Sequence, residues 1–88
     1  MKFKGIVTKA QTRNSITLFD LEGKVEDYSF YMPNVDLRIN NGEFVNGETV
    51  SDKGLVLPSG KYMVVSNLEI YNKPKGKLLH TYSINDNI

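Results

Sequence analysis

An all-β fold, a small antiparallel sandwich or barrel of about six to eight short strands, is what this sequence predicts. Three observations predict it. Apolar and β-branched residues recur with a period of two in several short runs, the pattern of a half-buried strand. Gly, Asn and Pro turns separate these runs at short intervals. No window carries the 3.6-residue apolar period of an amphipathic helix.

Phe3–Ala10 opens the chain as a strand with Phe3, Ile6 and Val7 among lysines, and Gly5 inside it marks a bulge or a close backbone approach. Gln11-Thr12-Arg13-Asn14 reads as a turn and Ser15–Phe19 as the second strand. Leu21-Glu22-Gly23-Lys24 turns the chain again, with Gly23 taking the unusual dihedral. Val25–Met32 is the third strand, with Tyr28, Phe30 and Met32 on one face and Val25 and Tyr31 on the other. After Pro33-Asn34, Val35, Leu37 and Ile39 alternate with Asp36 and Arg38 as a fourth strand. Asn41-Gly42 is a strong hairpin signal and places Ile39 opposite Phe44. Asn46-Gly47 makes the returning strand short or bulged, and Glu48–Gly54 reads as loop. Leu55-Val56-Leu57 is a short apolar run stopped by Pro58-Ser59-Gly60.

The organising element is Lys61–Ile84, two β-rich runs around Asn72-Lys73-Pro74-Lys75-Gly76. Tyr62, Val64, Leu68 and Ile70 share one face of the first run; Leu78, Tyr82 and Ile84 share one face of the second. Pro74 lacks a ladder donor and Gly76 tolerates positive φ, so both belong to the turn. Tyr62, Val64, Leu68, Ile70 and Leu78 are therefore expected to be buried together. The phrase Leu57-Pro58-Ser59-Gly60-Lys61-Tyr62-Met63-Val64 resembles the Leu-Pro-x-Gly-x-Tyr-x-Val phrase of prealbumin-like and other β-sandwich domains of bacterial surface proteins. The resemblance spans eight residues and implies a core strand whose tyrosine packs across a sandwich; it implies no function.

Eighty-eight residues make one domain, 1–88, with one modest core. Apolar residues at 40% and charged residues at 24% fit a globular chain and argue against disorder. Without cysteine there is no disulfide, thiolate metal site or cysteine chemistry, which leans towards a reducing compartment. No apolar leader core and no 18-residue apolar span are present, so the expectation is a cytoplasmic protein without a membrane partner. The net charge is only +1, but it is sorted along the chain. Lys2, Lys4, Lys9 and Arg13 precede an acidic middle, and Lys53, Lys61, Lys73, Lys75 and Lys77 follow it. Lysine far outnumbers arginine and asparagine is abundant, a composition pointing to a low-GC coding source.

No catalytic residue is expected. His80 is the single histidine, with no identifiable nucleophile or orienting acid. A zinc site of nitrogen ligands would need more than one histidine. Glu26 and Asp27 are adjacent, so on a strand they point to opposite faces. No calcium loop and no phosphate-cradling glycine loop is present. The expectation is a non-enzyme without cofactor or metal.

Two surfaces are candidates for binding. Lys73, Lys75 and Lys77 cluster beside Tyr71 and His80, the mixture of cations and aromatics that holds single-stranded nucleic acid. Lys2 and Lys4 would join them if the first and last strands paired. The same lysines also suit a hairpin tip kept soluble. Tyr28, Tyr31 and Arg38 form the second group, residue types favoured at protein-binding hot spots. The reading is a small binding protein whose partner is another protein, an accessory or inhibitor protein of mobile-element or phage type. An OB-like nucleic-acid-binding barrel and a binder of a small anionic nucleotide between subunits are the alternatives, and a homo-oligomer stays open.

Overall fold

The computed structural model describes residues 1–13, 16–23, 28–33, 35 and 37–84. Its seven strands are β1 (Lys2–Arg13), β2 (Ile16–Leu21), β3 (Ser29–Tyr31), β4 (Phe44–Thr49), β5 (Leu55–Leu57), β6 (Gly60–Tyr71) and β7 (Leu78–Ser83). β1 pairs antiparallel with β2, and β2 with β3. β4 returns to the other edge of β1, so the order β4–β1–β2–β3 is a Greek key. β6 fills the gap, antiparallel to β4 and parallel to β3, and closes a five-stranded barrel. β5 and β7 pair with β6 outside that ring. The fold is the expected all-β one, in its barrel form, with no helix among the described residues.

Two long strands close the ring because each bends. In β1 the register passes from Val7 opposite Leu21 to Lys9 opposite Asp20, leaving Thr8 as an extra residue. The N-terminal half can then serve β4 and the C-terminal half β2, since a bulge bends and twists its strand. Gly5 lies upstream of this bulge and makes a close approach instead: a Cβ there would meet the Leu21 side chain at 3.4 Å. In β6, Asn67 faces Glu48 but Val65 faces Thr49, so Ser66 is the extra residue, and its hydroxyl donates to the Glu48 carbonyl at 3.0 Å.

The barrel interior holds Val7, Phe19, Leu21, Phe30, Met32, Val45, Met63, Val65, Leu68 and Ile70. Phe30 stacks on Phe3 and Phe19, with centroids 4.6 Å and 5.5 Å apart. Each such side chain contributes about 1.5–3 kcal/mol on burial. Leu37 and Ile39 add to this core from the segment that connects β3 to β4.

The bulges correct several expectations. Leu68 and Ile70 are buried, but Tyr62 and Val64 lie on the outer face, because the Ser66 bulge reverses the alternation; Met63 and Val65 take their inward places. Leu78 is 44% exposed. A second irregularity sets His80 opposite Ile70 but Leu78 opposite Tyr71, so Leu78 stands outside. Tyr62 therefore does not pack across a sandwich; its hydroxyl donates to Ser59 Oγ at 2.9 Å.

The stretch 35–40 is not a strand among its described residues. Leu37 and Ile39 are buried and Arg38 exposed, so the alternation survives without a ladder. Asn41-Gly42 does turn the chain, with Gly42 at φ +91°, but β4 spends both edges on β1 and β6 and leaves none for Ile39. Glu48 and Thr49 extend β4 into the expected loop, and Gln11–Arg13 continues β1. Gly23 takes its positive φ, +74°. Asn14, Asn34, Asp36 and Val25–Asp27 lie outside the described residues. No helix among the described residues is long and apolar enough to cross a membrane.

Candidate functional site

The outer face of the β1–β4–β6 sheet carries the first candidate surface. Ile6, Phe44 and Tyr71 stand in register on adjacent strands. The Phe44 and Tyr71 rings are 6.2 Å apart and tilted by 58°, and both residues are half-buried. Around them run Lys4, Gly5, Asn46, Glu22, Gly23, Pro74 and Lys75, enclosing an open groove of about 810 Å³. β1 and β7 do not pair, so the expected merger of basic segments through those strands does not occur. Lys4 and Lys75 instead line one groove from either side of β4.

The β6–β7 turn holds Lys75 at this groove. Asn72 N–H donates to the Lys77 carbonyl at 3.0 Å, Gly76 N–H to the Lys73 carbonyl at 2.9 Å, and Lys77 N–H to Asn72 Oδ1 at 2.9 Å. The positive φ of the turn falls on Lys75, at +59°, and not on Gly76. Gly76 is needed for space, since a Cβ there would lie 2.0 Å from Asn72 Oδ1. Lys73 and Lys77 are exposed on the same turn.

Tyr71 donates its hydroxyl to Glu69 Oε1 at 3.2 Å, and Asn46 Nδ2 donates to the same oxygen at 3.4 Å. The Tyr71 phenol is raised above its ordinary value near 10, first by desolvation, then by that hydrogen bond and the Glu69 charge. His80 sits on the opposite face of the hairpin from Tyr71, in register with Ile70, its ring 6.0 Å from Tyr82.

The second candidate group is divided. Tyr31 stands on the outer barrel face with its ring 6.0 Å from Tyr62, edge to face. Tyr28 has Lys61 Nζ 5.9 Å over its ring. Arg38 lies on the β3–β4 connection, its N–H donating to the Tyr82 hydroxyl at 3.2 Å. Tyr31 belongs to a larger patch. Gln11, Leu18, Tyr31 and Val64 form one cross-strand row; Lys9, Asp20, Ser29, Tyr62 and Leu55 form the next. Ile16 at the rim is 46% exposed, and Val56 on β5 is 67% exposed.

Sequence reasoning missed Phe44, Asn46, Leu18, Leu55 and Tyr62 as surface-forming residues. Phe44 read as the partner of Ile39, and only the strand order sets it beside Tyr71. Among the described residues, no group of three or more His, Asp or Glu comes together to hold a metal. Comparison with known protein families, curated proteins and solved structures yields no match to this chain.

Proposed function

We propose that this chain is a small non-enzymatic binding protein of the cytoplasm, an accessory or inhibitor protein of mobile-element or phage type, that docks another protein. The observation that carries the reading is the stripe of Leu18, Tyr31, Val64, Tyr62 and Leu55 across β2, β3, β6 and β5. It is aromatic and aliphatic, and the one charged pair in its two rows, Lys9 opposite Asp20, is self-compensating. Protein interfaces have such cores, depleted in charge and enriched in tyrosine. A phosphate backbone would find little to neutralise there.

The test is recovery of a stoichiometric partner from host lysate by the tagged chain, compared with a Tyr31→Ala/Leu55→Asp variant that keeps its β circular dichroism. Truncating a hot-spot tyrosine costs about 2 kcal/mol or more, about 30-fold in affinity. Identical recovery by parent and variant defeats the reading.

A second reading, binding of single-stranded nucleic acid, has its own support in the barrel. Five strands in Greek-key order form the architecture of OB-type domains, which bind oligonucleotides and oligosaccharides. Fold alone does not assign function, so this reading stands or falls on a site with phosphate-binding cations.

A further inference from the structure

The groove at Phe44 and Tyr71 lies on the β1–β4–β6 sheet, apart from the Tyr31 stripe, and its chemistry differs. We infer that it holds a short run of single-stranded nucleic acid, with bases stacked on Phe44 and Tyr71 and phosphates drawn to Lys4 and Lys75. This rests on the nucleic-acid reading above and adds a place and residue roles.

Four observations carry it. First, the two rings are half-buried and neighbouring, so each is anchored at its base and open on the groove side, as a stacking platform must be. Second, the cations stand at opposite walls, Lys4 on β1 and Lys75 on the β6–β7 turn, with Lys73 and Lys77 exposed beside Lys75. Among the described residues the carboxylates here are Glu22 in the lining and Glu69, bonded to Tyr71 and Asn46; set against Lys4, Lys75, Lys73 and Lys77 they leave the site net positive and complementary to a polyanion. Third, Glu22 and the Asn46 amide are groups that hydrogen-bond base edges, a carboxylate accepting from a base N–H such as the N3–H of thymine. Fourth, the groove of about 810 Å³ falls within the 300–1,000 Å³ of ordinary ligand clefts. An acidic peptide would satisfy the lysines but has no use for two ring faces.

The probe is a fluorescein-labelled oligothymidine of about 12 nucleotides, a length within OB-type site sizes, read by anisotropy on the full chain over a salt series. Binding should weaken with salt, with a log–log slope of about −0.7 per contacted phosphate. Lys4→Gln/Lys75→Gln should flatten that slope by about 1.4. Tyr71→Leu should weaken binding by about 5- to 150-fold and leave the slope unchanged. No binding at low salt overturns the nucleic-acid reading and the groove together. Binding that survives these variants but is lost in Tyr31→Ala overturns the groove alone. Displacement by polyglutamate as readily as by unlabelled oligothymidine also overturns the groove assignment and identifies an acidic-peptide site. Each variant is scored against its own thermal melt, so loss of fold is separated from loss of binding.

Discussion

The Tyr82 hydroxyl accepts a hydrogen bond from the backbone N–H of Arg38 at 3.2 Å, across 44 positions of sequence. This contact ties β7 to the β3–β4 connection, the segment that brings Leu37 and Ile39 into the core. Among the described residues β7 pairs only with β6, so its own ladder gives it one partner. Tyr82→Phe removes the acceptor and keeps the ring. Denaturant unfolding should show a loss of about 0.5–1.5 kcal/mol. An unchanged midpoint would mean that this bond adds nothing to the docking of the connection.

The bulges make a sharper test. Leu68 is buried in the barrel, whereas Leu78, ten residues on, stands 44% exposed. Leu68→Ala should cost about 2–5 kcal/mol, enough to threaten the fold of so small a domain. Leu78→Ala should stay within about 0.5 kcal/mol. Equal costs for the two would refute the register of β6 and β7, and thermal melts of the pair decide it.

That contrast locates what was legible in the sequence. Alternation, turns at Gly23 and Asn41-Gly42, and the absence of a helical period were enough for an all-β fold. Burial of Leu68 and Ile70 was also readable. The outward placement of Tyr62, Val64 and Leu78 was not, because one extra residue shifts the phase of everything beyond it, and neither Ser66 nor Leu79 is a residue type that announces a bulge. The groove was half legible: Tyr71 and the turn lysines stood out, but Phe44 and Lys4 reach them only through the order β1–β4–β6. Such non-local pairing leaves no local mark in sequence.

Gly47 shows the cost of that same close pairing. It is buried in β4 between Phe3 on β1 and Leu68 on β6. A Cβ there would lie 2.6 Å from the Asn67 carbonyl oxygen, 2.9 Å from Phe3 Cζ and 3.0 Å from Leu68 Cδ1. The carbonyl is backbone within a ladder and cannot swing aside. Gly47→Ala should destabilise by about 1–3 kcal/mol, a fall of several degrees or more in Tm for a domain of this size. A stability at or above the parent's would show that the two sheet edges around β4 are looser than described.

The last prediction concerns pH and the groove. Tyr71 has its phenol raised above 10 by desolvation, by the hydrogen bond it donates to Glu69 and by the negative charge of that carboxylate. A folded-state value above the unfolded one means that the native protein holds this proton more tightly. The resulting contribution to stability is fully present below about pH 10 and is lost as pH rises through the folded value. Glu69→Gln removes the charge and keeps an acceptor, so the midpoint should move back towards the ordinary value while desolvation still holds it up. The measurement is an ultraviolet difference titration of parent against Tyr71→Phe, repeated in the Glu69→Gln background, which isolates this phenol from the other four. Glu69→Gln should also raise oligothymidine affinity slightly at neutral pH, because it deletes a negative charge beside the platform while Tyr71 stays protonated. A Tyr71 midpoint that does not respond to Glu69→Gln would sink the account of how this ring is held.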